Sequence, residues 1–280
     1  MILRYVIAYR VSVSQITILF LYLMAAGAFT ASRLPRFESM ALALFIFACI
    51  LAAPGVMIHG QALYDLIHPQ RNFDLSIGNA VAMIGLELAI IGLFAAIEPT
   101  LRGISGGLIF LAALTALLIG PSGEASPDVA LAWQVRAQIV VALLSYGLLT
   151  VGTIVALYAL AQERRLRAAK LSPVNQLFAP LETTERLLFG VAGPGFVGLT
   201  LTIVSGSSFV NDLVEQHLAH KLGFSVLAWV VFGILLVGRH FRGWRGKRAV
   251  RLYLGGFAVL CIAYFGNRFI LEEVFQRSWS

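Results

Sequence analysis

LGFSVLAWVVFGILLVG (Leu222–Gly238), RHFRGWRGKRAVR (Arg239–Arg251) and LYLGGFAVLCIAYFGN (Leu252–Asn267) follow one another without a break. Runs of about 17–20 apolar residues are long enough to cross the hydrocarbon of a bilayer as helices, and Lys/Arg clustered between two such runs is retained on the cytoplasmic side. The stretch therefore reads as a helical hairpin with its turn in the cytoplasm, and it orients the rest of the chain.

Working outward, uncharged apolar runs recur at 14–31, 39–62, 76–97, 103–120, 132–161, 187–208, 222–239 and 250–268. The expected fold is all-α: a polytopic integral membrane bundle of about eight transmembrane helices, with residues 1–280 forming a single transmembrane domain. If the loop after the seventh span is cytoplasmic, so are those after the first, third and fifth, and both termini lie outside. These inner segments hold 14 of the 21 Lys and Arg, whereas Arg4 and Arg10 argue mildly the other way. The first span is expected to remain as a helix, because no small-residue cleavage site is followed by a polar mature domain.

Composition agrees: 59% of residues are hydrophobic and 12% charged, and the mean hydropathy is +0.85. A net charge of +7 would suggest nucleic acid in a soluble protein. Here it is what loops facing anionic lipid head groups need, so the expected partner is the lipid bilayer and not nucleic acid. No soluble domain of useful size is left over, the P-loop pattern and the HExxH zinc pair are missing, and spacing offers no nucleophile–base pair or metal cluster. The chain is read as a non-enzyme. Cys49 and Cys261 fall inside spans two and eight, with no CxxC, and read as packing residues.

The longest loop, Gln162–Arg186, alternates charge with apolar anchors and is expected along the inner membrane surface. Thr183 or Thr184 in it is a candidate cap for the sixth helix. Pro54 and the Gly193-Pro194-Gly195 string predict kinks. Trp133 and Trp244 fall where aromatic belts lie, and Trp229, inside span seven, reads as packing. Glu87 is the acidic residue deep within a span. A carboxyl group there is costly, so function is weighed evenly against structural hydrogen bonding.

Four of the five histidines fall on the outer side in this topology: His59 near the outer end of span two, His68 after it, and His217 and His220 just before span seven. Neutral imidazole is a good axial ligand for haem iron. His59 and His220 are the preferred iron-ligating pair because both adjoin helical backbone, with His217 or His68 as alternatives. His240, among the hinge arginines, reads as part of the topology signal.

GFVGLTLTIVSG (Gly195–Gly206) resembles a Gly-Phe, Leu-Thr, Gly run of the cytochrome c assembly proteins, the CcsA/CcmC haem-handling family. Counterparts follow in the same order: QERRL (Gln162–Leu166), Leu181-Glu182 with Glu185-Arg186-Leu187, Ala228-Trp229, RGWRG (Arg242–Gly246) and AYFG (Ala263–Gly266). The resemblance covers 133–273 and is nearest to the shorter YpjD-like branch. It implies an inner-membrane, multi-pass protein of cytochrome c-type biogenesis that binds or handles haem for delivery outside the cytoplasm, with other cytochrome c assembly proteins as partners. The family's haem-handling members carry a tryptophan-rich outer loop. Here that loop, Ser207–Lys221, has no tryptophan, and Gln138 stands where the family places a histidine eight residues before Tyr146. The rival readings are a haem-free membrane scaffold for an assembly complex and a small-molecule transporter.

Overall fold

The structure is a computed structural model, and it describes residues 13–67, 77–120, 133–167, 179–209 and 219–263. All regular structure among the described residues is helical, and eight α-helices are numbered here in chain order. They are α1 (Val13–Ala31), α2 (Ala41–Ile67), α3 (Ile77–Ala95), α4 (Arg102–Thr115), α5 (Trp133–Arg167), α6 (Leu181–Phe209), α7 (Ala219–Arg242) and α8 (Gly246–Cys261). Seven candidate membrane spans correspond to α1 through α7 with their flanking turns. α8 matches the eighth expected span over its described part. The chain divides into two compact units, Met1–Ala132 with Arg164–Thr184, and Trp133–Glu163 with Glu185–Ser280.

In the first unit α1 packs on α2 and α4, and α3 packs on α4 and α2. The buried face of α1 runs through Gln15, Ile18, Tyr22, Ala25 and Phe29, the three- and four-residue spacing of one helical stripe. Its opposite face, with Ile16, Phe20 and Met24, is equally apolar but exposed, as a helix solvated by lipid on one side requires. α2 repeats the arrangement, burying Ala48, Ala52, Gly55, His59 and Leu63 on one stripe.

Association of these helices cannot draw on the hydrophobic effect, since lipid tails are as apolar as leucine, so small residues and close approach take over. A Cβ on Gly106 of α4 would lie 2.3 Å from Thr30 Oγ1 of α1, and one on Gly85 of α3 would lie 1.7 Å from Thr115 Oγ1 of α4.

The C-terminal end of α4 is fastened by side chains. Asn79 Nδ2 donates to the Gly120 carbonyl at 3.0 Å, Gly120 N–H donates to Asn79 Oδ1 at 3.1 Å, and the Gln15 amide donates to the Ile119 carbonyl. Carbonyls that a helix end would otherwise leave bare in an apolar setting are thus satisfied.

In the second unit, Ser145 Oγ of α5 donates to the Gly195 carbonyl of α6 at 2.7 Å. Trp229 of α7 stacks on Phe196 of α6, ring centroids 5.5 Å apart, and its Nε1–H donates to Thr200 Oγ1 at 2.8 Å. Tyr253 of α8 donates its hydroxyl to the Leu149 carbonyl of α5 at 3.1 Å and meets Phe232 of α7 edge to face. Both expected prolines lie inside continuous helices, Pro54 in α2 and Pro194 in α6. One expectation is corrected: α6 already begins at Leu181, directly after Pro180, so Thr183 and Thr184 are helical rather than capping, and Thr184 Oγ1 bonds back to the Pro180 carbonyl.

Candidate functional site

His59 lies in the interior of the first unit, on the buried stripe of α2 and without exposure. Its Nδ1 is 3.4 Å from the hydroxyl of Tyr22 on α1, a long contact in which the tautomer decides which group donates. The two rings are tilted, with centroids 5.9 Å apart. The backbone of Ala82 on α3 is a hydrogen-bonding neighbour of the imidazole, while Nε2 has no partner at full hydrogen-bond geometry. Tyr22 is itself fully buried. Sequence reading found His59 but not Tyr22. The available signal was a phenol in mid-span, which needs a polar partner when buried.

Glu87 follows Ala82 on α3 by five residues, about 7.5 Å along the helix axis. Both of its carboxyl oxygens are buried and make no hydrogen bond. A buried nitrogen and a buried carboxyl group, neither satisfied, therefore lie on adjacent helices of one unit. Such groups are costly in a folded interior and mark a site more often than a packing accident.

Of the other predicted ligands, His220 is the second residue of α7, and His217 and His68 lie outside the described residues. His240 is exposed at the end of α7, edge to face with Phe241. Cys49 and Cys261 are free thiols, half-buried. Among the described residues, no three His, Cys, Asp or Glu side chains converge as metal ligands. One imidazole with Nδ1 against a phenol and Nε2 unbonded is the type of donor that haem iron takes, since a ligating histidine is ordinarily oriented by a bond from its other nitrogen, but this one is fully enclosed by protein. Gln138, beside Gly206 of α6, offers no such donor.

Two strings spell signatures of soluble enzymes without their context. GISGG (Gly103–Gly107) matches GxSxG, but Ser105 is fully buried inside α4 and donates to the Leu101 carbonyl at 3.1 Å. GPGFVG (Gly193–Gly198) matches GxGxxG but lies inside α6. Neither follows a strand, and neither opens a helix toward a phosphate or an exposed nucleophile.

Some of the residues that carry the family resemblance, Glu163, Glu185, Trp244 and Gly246, converge in the second unit. Glu185 Oε1 accepts the Gly246 N–H at 2.5 Å, and Glu185 Oε2 lies 3.8 Å from Arg239 Nη1. That guanidinium stacks over Phe189 and donates to the Trp244 carbonyl at 3.4 Å. Lys247 pairs with Glu163 at 3.4 Å, and Arg248 covers the Trp244 ring. Gly243 and Gly246, each with φ +62°, let the chain reverse tightly around Trp244-Arg245. Motifs scattered from Glu163 to Arg248 in sequence thus form one network that fixes the basic hinge to the ends of α5 and α6.

Several known proteins are similar to the chain. The chain is similar to the inner membrane protein YpjD of Escherichia coli K12, 35% identical over 132 residues, 47% of this chain and 50% of the relative. It is similar to the cytochrome c biogenesis protein CcsA of Microcystis aeruginosa, 29% identical over 113 residues, 40% of this chain and 34% of that protein. For CcsA of Trichormus variabilis the figures are 30% over 119 residues, 40% and 34%. The chain thus spans about half the length of the first of these relatives, or less. No solved structure matches. Seven helices able to span a bilayer, with relatives of these names, make this a multi-pass inner-membrane protein. The family model for the cytochrome c assembly protein matches residues 7–275, almost the whole sequence, and the chain belongs to that family.

Proposed function

We propose that this protein acts in cytochrome c biogenesis as a non-enzymatic membrane component that binds or handles haem for delivery outside the cytoplasm, alongside other assembly proteins. The observation that carries the reading is His59, enclosed in the first unit with Nδ1 against Tyr22 and Nε2 unbonded. With Nδ1–H donating to the Tyr22 oxygen, Nε2 presents a lone pair in a fixed direction. Haem, when bound, supplies an iron centre that accepts such a nitrogen axially. His220, with His217 as the alternative, is the proposed second ligand. The charge distribution supports termini on the outside, which puts His59 in the outer half of its span. The hinge arginines then face the cytoplasm.

A haem-free scaffold is the second reading. It is favoured by the complete enclosure of His59 and by the missing tryptophans of the Ser207–Lys221 loop. An oxidised and dithionite-reduced absorption spectrum of the detergent-purified protein from haem-replete cells separates the two. A stoichiometric Soret band with sharp reduced α and β bands is expected, lost in His59→Ala and in His220→Ala and kept in His240→Ala. A flat spectrum that persists after added haemin is washed away makes the scaffold the function.

A further inference from the structure

The connections α1–α2 and α3–α4 lie together at one end of the first unit and line an open cavity of about 540 Å³, with Ser32, Arg33, Pro35, Glu38, Pro99 and Arg102 among its walls. Arg102 is nine-tenths buried. Its Nε–H donates to the Ala96 carbonyl at 3.3 Å and its guanidinium lies flat over Phe45, 4.2 Å from the ring centroid. Those two contacts fix the plane of the guanidinium and leave its η N–H groups without a hydrogen bond among the described residues. Arg33 acts on Arg102 as a like charge across the same cavity. Two cations lining one cavity, one of them buried, are stabilised by an anion between them, and the planar fork of arginine matches a phosphate or carboxylate.

We infer that this cavity binds the phosphate of an anionic phospholipid. The phosphate chemistry alone would also suit a soluble phosphate, and the surroundings choose between them. Ala41, in the cavity wall, begins α2, and Leu42, Ile46 and Ile50 continue from it as an exposed apolar stripe. The stripe runs along a helix long and apolar enough to span the bilayer. Phosphate in the cavity and an acyl chain on this stripe are the two halves of one lipid, whereas a soluble anion would use only the first. Two carboxylates oppose the anion. Glu38 stands exposed at the cavity rim, and Glu98 acts on Arg102 while accepting the Thr100 hydroxyl at 3.1 Å. The cavity therefore selects against weakly held anions and retains those with a second, apolar attachment.

The test is native mass spectrometry of the full chain in mild detergent, titrated with phosphatidylglycerol, with diacylglycerol of the same chains, and with inorganic phosphate. One phosphatidylglycerol should be retained at least about tenfold more tightly than diacylglycerol, the scale of a charge-assisted bidentate contact. Arg102→Gln and Arg33→Gln should each lower retention by about tenfold, Glu38→Gln should raise it, and Arg245→Gln in the basic hinge should leave it unchanged. Equal retention of diacylglycerol overturns the inference. So does a retention indifferent to Arg33→Gln and Glu38→Gln, or one lowered as much by Arg245→Gln, which would move the lipid to the hinge. Inorganic phosphate bound as tightly as phosphatidylglycerol would assign the cavity to a soluble anion and overturn the lipid. If Arg102→Gln fails to fold, the Arg33 and Glu38 variants decide.

Discussion

The carboxylate of Glu185, on α6, takes the N–H of Gly246, the first residue of α8, at 2.5 Å, so one helix is capped by a side chain from another, 61 positions away. Arg245, the residue before α8, has no capping side chain of its own. The borrowed acceptor supplies what Ser, Asp or Asn would supply locally. Removing it by Glu185→Ala leaves a part-buried N–H bare and Arg239 without its partner. A loss of about 1–2 kcal/mol is expected, read as a lowered thermal midpoint in detergent. Glu185→Gln, which keeps an oxygen acceptor, should lose about half as much.

Tyr22→Phe removes one oxygen and nothing else. Its stability cost should be about 1 kcal/mol, the ordinary net worth of a hydrogen bond. If His59 ligates haem, the same variant frees the imidazole to rotate, and the reduced α band should broaden or shift while His240→Ala leaves it in place. An unaltered band would take Tyr22 out of the site.

Gly152 of α5 faces Tyr253 of α8 so closely that an added Cβ would stand 2.0 Å from the phenol oxygen. The tyrosine is fully buried and hydrogen-bonded to Leu149, so it cannot swing aside. Gly152→Ala should cost about 1–3 kcal/mol as an overpacked interior, and Tyr253→Phe combined with it should recover part of the loss. Denaturation midpoints of the two single variants and the double variant check the coupling.

Glu87→Leu exchanges an unsatisfied buried carboxyl group for an apolar side chain of similar size. An increase in stability of about 1–3 kcal/mol is expected. If the acid serves the function, cytochrome c maturation in a strain dependent on this protein should fall even as the thermal midpoint rises. A variant both more stable and fully active would show that the acid is dispensable.

The helices were legible because lipid demands long uncharged runs, and each of the eight runs reappears in the structure, the last over its described part. Which face of each helix is buried was not legible. Ile18 and Tyr22 are enclosed while Phe20 and Met24, equally apolar, are exposed, so hydropathy carries no contrast when one of the two solvents is hydrocarbon. The site was half legible. His59 stood out as a polar group within a span, but its partner Tyr22 lies 37 residues away, and no pattern in either helix announces the pairing. The sixth helix began earlier than expected because Pro180, with no N–H to satisfy, starts a helix without needing the threonines that follow.

The fastening of Ile119 and Gly120 by Gln15 and Asn79 has a consequence for the membrane itself. α4 has 14 regular residues, and the turns at its two ends extend it to the 20 residues of Pro99–Leu118, about the thickness of a hydrocarbon layer of roughly 30 Å. A span ordinarily has to carry its terminal carbonyls to water or head groups. Here amide side chains of the neighbouring helices stand in for water at that end. The depth of this end is therefore freed from that demand, and the first unit should keep its fold in thin and thick bilayers alike.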